Sequence, residues 1–162
     1  MGRPSMSQEA IRANKITIIN TAVEMIREKG ISSISARSLG NKAGMNSALI
    51  YRYFKDIDEV ILFACVHALE EYSADMVEAS RDLDPDDSDT YDEDIYLLSW
   101  ELFCKHAFNK PEEFNVLFFS RHSSDLHSVL KEYIDMFPPD GDGTDDIILE
   151  AMLRTESIQS IS

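Results

Sequence analysis

Cysteine is scarce in this chain of 162 residues: Cys65 and Cys104 are the only two. Both lie in apolar helical stretches with no export signal ahead of them. Buried, reduced thiols are therefore expected, not a disulfide. Long apolar runs are missing as well. The longest, Val60 to Leu69, is interrupted by His67 and is about half the roughly 20 residues that cross a bilayer, so no membrane partner is expected. Met1 to Met6 contains no signal-peptide core, and Met6 stands where a myristoylation motif needs Ser or Thr, which points to a cytoplasmic location. No nucleophile sits in a triad or elbow motif, and no phosphate-cradling loop is present. An enzyme, a catalytic residue and a cofactor are all unexpected. His67, His106, His122 and His127 have no CxxC or HxxxH spacing with each other or with the cysteines, so no metal site is expected either. Strand patterns and internal repeats are absent, which leaves an all-α fold.

Positive charge is also in short supply: 15 Lys and Arg stand against 30 Asp and Glu, a net charge of -15. Its distribution is uneven. Residues 1–55 hold nine basic groups (Arg3, Arg12, Lys15, Arg27, Lys29, Arg37, Lys42, Arg52, Lys55) and three acidic ones, a net of +6, which leaves -21 for the rest. A basic module joined to an acidic body suggests that the basic end meets phosphate. Acidic loops elsewhere would then turn that end toward the duplex.

Spacings of three and four from Ile11 through Lys15, Ile18, Ile19, Ala22, Val23 and Ile26 predict a helix over about 9–29, closed by Gly30. Ser35 is placed to cap a second helix ending at Ala43, and Gly44 supplies a turn. Asn46 or Ser47 caps a third, to about Phe54. Asp56 or Asp58 opens a long fourth, carrying Val60, Phe63, Leu69, Tyr72 and Met76. The acidic stretch from Asp82 to Asp94 reads as a solvated loop. Further helices are expected over 95–109, from Pro111 to near Arg121, and over 124–137. A second loop follows at Pro138 to Gly143, and then a last amphipathic helix with Ile147, Ile148 and Met152. The domain division expected is 1–56 and 57–162, with the helix from 57 to about 81 as the link.

Two short helices joined through a glycine turn form the layout of a helix-turn-helix. Gly30, Ser35-Ala36-Arg37-Ser38-Leu39, Ala43-Gly44-Met45-Asn46 and Ile50-Tyr51-Arg52-Tyr53-Phe54-Lys55 add a word-level match. Through them Arg12 to Ala64 resembles the N-terminal domain of the tetracycline-repressor (TetR) family. The resemblance implies a dimeric regulator that binds operator DNA, with a C-terminal helical domain for effector binding and dimerisation. Leu39, Ala43, Met45, Ile50 and Phe54 are spaced to form the module's core. Ser35, at a helix N-terminus, suits a phosphate, and Arg37 reaches phosphate or a guanine edge. Asn46, Ser47, Ala48 and Leu49 front the recognition helix. Tyr51 and Tyr53 suit the groove rim, while Arg52 and Lys55 add unspecific charge. Two positions depart from the family pattern. Ile57 replaces a phosphate-binding lysine at the start of the fourth helix, and Gly40 replaces an alanine.

Trp100, Phe103, Cys104, Phe118 and Phe119, with His67, form a candidate lining for an unknown small-molecule effector. The same aromatic set would equally make a solid core. Asp82, Asp84, Asp86 and Glu93 take positions 1, 3, 5 and 12 of a calcium loop, but Asp87 stands in place of its glycine, and solvation is the better reading. The helix over 124–137 and the last amphipathic helix are the candidates for a homodimer interface. The alternative to an operator-binding repressor is a protein-interaction module on the same fold.

Overall fold

The apolar stripe of the first helix is continuous enough to organise everything near it. In the computed structural model, which describes residues 7–81, 83 and 91–138, α1 spans Gln8–Lys29 and buries Ile18, Ile19, Ala22 and Met25. Ser7 caps it, its side chain accepting from the Ala10 N–H at 3.2 Å. Gly30 ends it at φ 78°, ψ 170°, a conformation essentially confined to glycine. The chain continues through a 3-10 turn at Ile31–Ser33 into α2 (Ala36–Ala43) and α3 (Ser47–Tyr53). Next come α4 (Ile57–Ser80), α5 (Tyr91–Asn109) and α6 (Pro111–Phe119). A second 3-10 turn at Ser123–Asp125 leads into α7 (Leu126–Met136). The described residues contain no strand, in keeping with the all-α expectation.

Residues 91–94 differ from expectation, since α5 begins at Tyr91 and the acidic run does not stay in the loop. Asp92, Glu93 and Asp94 occupy its first turn, where carboxylates face the positive end of the helix dipole and favour the helix. Glu93 of the supposed calcium loop is thus helical, whereas Asp84 and Asp86 lie outside the described residues. The loop and amphipathic helix expected beyond Pro138 lie outside them too.

Two compact units form. Among the described residues, the first combines those from Ser7 to His67 with Glu112–Met136, and the second takes those between Ala68 and Pro111 together with Phe137 and Pro138. Packing therefore divides within α4, eleven residues beyond the expected boundary at 56. In the first unit, Leu39, Ile50 and Phe54 are buried with the α1 stripe, as are Val60, Leu62 and Phe63 of α4. Ala43 and Met45, expected in this core, are only half-buried. Phe54 and Phe63 meet edge to face, with centroids 5.6 Å apart.

Helix α7 belongs to this unit. Its apolar side, Val129, Leu130, Tyr133 and Met136, is buried within the unit. Lys15 of α1 pairs with Glu132, and the Arg12 guanidinium donates to the Asp135 carbonyl near the end of α7. A cation at a helix C-terminus answers carbonyls that have no partner in the helix.

The second unit packs the C-terminal half of α4 on α5 through Tyr72, Met76 and Leu102, flanked by Ala79, Leu98 and Phe103. His106 is buried, with Nε2 3.0 Å from Asp75 Oδ2. Lys105 also reaches that carboxylate, at 3.1 Å, and Lys110 pairs with Glu71 at 2.6 Å.

Gly40 sets the contact between α2 and α3. A methyl group there would stand 2.9 Å from the Met45 carbonyl oxygen and 3.3 Å from Ser47 Cα, both backbone atoms. The Met45 N–H donates to the Gly40 carbonyl at 2.8 Å, so the turn that leads into α3 is tied back onto α2. This accounts for the departure from alanine. Gly40→Ala is expected to push α3 away and lower stability by about 1–3 kcal/mol, the usual cost of overpacking. Urea unfolding measures this, and a variant as stable as the parent would contradict it.

Candidate nucleic-acid interface

The turn between α2 and α3 is built from local rules. Ser35 and Ser38 form a reciprocal capping box: the Ser38 N–H donates to Ser35 Oγ at 3.1 Å, and the Ser35 N–H to Ser38 Oγ at 2.9 Å. Gly44 takes the left-handed conformation at φ 66°, ψ 26° that closes α2. Asn46 then caps α3, its Oδ1 accepting from the Ala48 N–H at 2.9 Å. Asn46 is exposed but already committed to the cap.

With Ile50 buried, the opposite side of α3 faces outward. Ala48, Tyr51 and Arg52 are exposed, Tyr51 at 56%, while Ser47 and Leu49 are half-buried. Ser35 and Arg37 are exposed on α2. Tyr51 thus presents a flat ring with a polar hydroxyl on the outward side of α3. Tyr53 is placed differently from Tyr51: it is half-buried, and its hydroxyl accepts from Asn14 Nδ2 of α1 at 3.1 Å. It braces α3 against α1.

Most of the module's described cations already have partners within the protein. Lys15 goes to Glu132, and Lys42 to Glu28 at 2.9 Å and Glu24 at 3.5 Å. Arg12 is on a carbonyl of α7, and Arg27 lies 2.6 Å from His67 Nε2. Lys55, expected to serve as unspecific charge for DNA, reaches Asp125 Oδ2 at 3.0 Å and Glu59 Oε1 at 3.9 Å. Arg37 and Arg52 make no ion pair among the described residues and remain as the exposed cations nearest the recognition helix. The net of +6 therefore overstates what a phosphate would meet.

The head of α4 is acidic. Asp56 caps it, accepting from the Glu59 N–H at 2.9 Å, and Asp58 and Glu59 fill its first turn. Residues between α6 and α7 cover this head. Arg121 reaches Asp56 Oδ2 at 3.0 Å and Asp58 Oδ2 at 2.7 Å, and His122 Nε2 lies 3.0 Å from Asp56 Oδ2. Where the family pattern has a lysine, half-buried Ile57 is followed by two carboxylates. Sequence reasoning did not find Asp125, His122, Arg121 or Glu132, because their partners lie 65 to 117 positions away.

The candidate effector lining falls in both units: Trp100, Phe103 and Cys104 in the second, His67, Phe118 and Phe119 in the first. Phe119 is 81% exposed. Cys104, expected to be buried, is exposed too, because Leu102 and His106 take the buried side of α5. Cys65 is buried as expected, and burial with the nearby Glu113 carboxylate pushes its thiol up to about 12, so it is inert. Among the described residues no cluster of His, Cys, Asp and Glu could hold a metal ion, and no helix is long and apolar enough to cross a membrane.

Compared with known proteins, residues 18–63 match the model for bacterial regulatory proteins, tetR family. The match runs from the middle of α1 into α4 and contains the whole helix-turn-helix. No curated protein and no solved structure matches the chain.

The Lys55–Asp125 pair has a defined pH window. The Lys55 ammonium holds the Asp125 carboxyl below its ordinary value, and Asp125 in turn raises Lys55. Burial acts to raise Asp56, but the Glu59 N–H, His122 and Arg121 outweigh it and leave that carboxyl low as well. A lowered carboxyl contributes stability above its unfolded value near pH 4, and that stability is lost as pH falls through the folded value. A raised lysine contributes below its unfolded value near pH 10 and loses the contribution as pH rises through the folded one. Urea unfolding across pH should therefore show an acid-side fall below about pH 4 that is shallower in Asp125→Asn. Identical acid limbs would show that the pair adds nothing.

Proposed function

We propose that the chain is a DNA-binding transcriptional regulator, and within that class a ligand-responsive repressor, since residues 18–63 match the model for bacterial regulatory proteins of the tetR family. The observation that carries this reading is the outward face of α2 and α3. Arg37, Ala48, Tyr51 and Arg52 stand exposed there on two helices that approach closely at Gly40. The chain would act as a homodimer in the cytoplasm. Two recognition helices about 34 Å apart then enter successive major grooves of a palindromic operator.

On that surface Ala48 and Leu49 approach base edges and thymine methyl groups, and Tyr51 lies along the groove rim. Arg37 and Arg52 supply the phosphate contacts. The effector would be a small molecule bound by the aromatic residues of the body, changing the separation of the two recognition helices. A second reading, a protein-interaction module that has lost operator binding, draws support from the carboxylates at the head of α4. Asp56, Asp58 and Glu59 stand where a phosphate contact would be needed.

Selection of genomic fragments by the purified full chain at low salt decides between the two. A palindromic consensus is expected, and its absence alongside co-purification of a protein partner would favour the second reading. On a recovered site, Tyr51→Ala and Arg37→Ala should each weaken binding. Arg37→Ala and Arg52→Ala should each also reduce the slope of log K against log salt by about 0.9 per subunit. Slopes unchanged in both would remove these arginines from the interface.

A further inference from the structure

We propose that Asp125, on the turn between α6 and α7, is a positioning residue that withholds Lys55 from DNA phosphate; the inference rests on the DNA-binding reading above. Lys55 directly follows Phe54, the C-cap of the recognition helix, and is well exposed, with 64% of its side chain accessible. By position it belongs with Arg52 as a phosphate contact. Its ammonium instead lies 3.0 Å from Asp125 Oδ2.

An exposed ion pair by itself holds weakly, and phosphate would displace a mobile carboxylate. This carboxylate does not stand alone. The turn that carries it is fixed to the head of α4 by Arg121 on Asp56 and Asp58, and by His122 between Asp56 and Asp125, the second contact at 3.7 Å from Nδ1. Asp125 therefore acts in two ways. It occupies the Lys55 ammonium, and it keeps a negative charge where a phosphate held by Lys55 would have to stand. Glu59, 3.9 Å from the same ammonium, adds to that field. A lysine so neutralised releases no counterion from DNA and contributes no salt dependence.

The test uses the full chain and a 40-base-pair duplex of mixed sequence, titrated between 50 and 200 mM salt. Asp125→Asn preserves the shape of the turn and removes the charge. It should bind more tightly at low salt, with the slope of log K against log salt steeper by about 0.9 per subunit, an extra loss of about 3.5-fold across that fourfold range. Lys55→Gln alone should leave the slope unchanged, and in the Asp125→Asn background it should cancel the gain. Asp125→Ser, checked by thermal melting, repeats the measurement if the asparagine variant folds poorly. An unchanged slope in both Asp125 variants overturns the proposal while leaving DNA binding intact, as does a slope reduced by Lys55→Gln alone. If the parent protein and every variant fail to bind the duplex at 50 mM salt, the DNA-binding reading itself is overturned, and this inference with it.

Discussion

Lys15 ties together four helical elements of the first unit. Its ammonium lies 5.0 Å from the centroid of Phe54, at the end of the recognition helix, and 5.4 Å from that of Phe63 in α4. The same group pairs with Glu132 of α7. Four elements, α1, α3, α4 and α7, thus converge on one cation. Such an arrangement is favourable only where the stem is covered by apolar surface while the charge keeps both ring faces and a carboxylate. The orientation of the recognition helix relative to α1 depends on this contact and on the Asn14–Tyr53 hydrogen bond beside it.

From that anchor follows the distribution of charge. The acidic residues after position 55 do not merely repel DNA or orient the basic end toward it. Glu132 and Asp125 enter the N-terminal module and neutralise Lys15 and Lys55. What stays outward on α2 and α3 away from an acidic partner is narrow: two arginines, a tyrosine and a short apolar front. Affinity built on so few charges depends on shape and apolar fit more than on net attraction, the reverse of what the basic surplus of residues 1–55 suggested.

Features governed by neighbours within a turn or two were legible in the sequence. Gly30 and Gly44 closed their helices, Ser35 capped α2, and the stripe from Ile11 to Ile26 included Lys15 because its stem behaves as an apolar one. The start of α5 was misplaced because three consecutive carboxylates resemble a solvated loop in composition, whereas their value at a helix N-terminus depends on position. Cys104 was misplaced for another reason. With Trp100 and Phe103 beside it, α5 is apolar on more than one side, and only contact with α4 decides which is buried. The pairings that redirect the charge of the candidate site had no local signal. Lys55 and Asp125 are 70 positions apart, and nothing around either residue announces the other.

Rings in the second unit run edge to face from Tyr96 through Trp100 and Phe103 to Tyr72 and on to His106, with centroid separations of 5.9 to 6.3 Å. Trp100 is the sole tryptophan of the chain. Indole emission consequently originates at one place in the chain, on α5, whereas the rings of the helix-turn-helix are tyrosine and phenylalanine. The exposed thiol of Cys104 sits one helical turn along from that indole and offers a place for an acceptor dye. Light absorbed at the red edge of the protein spectrum therefore excites a single side chain, packed among the rings of the second unit.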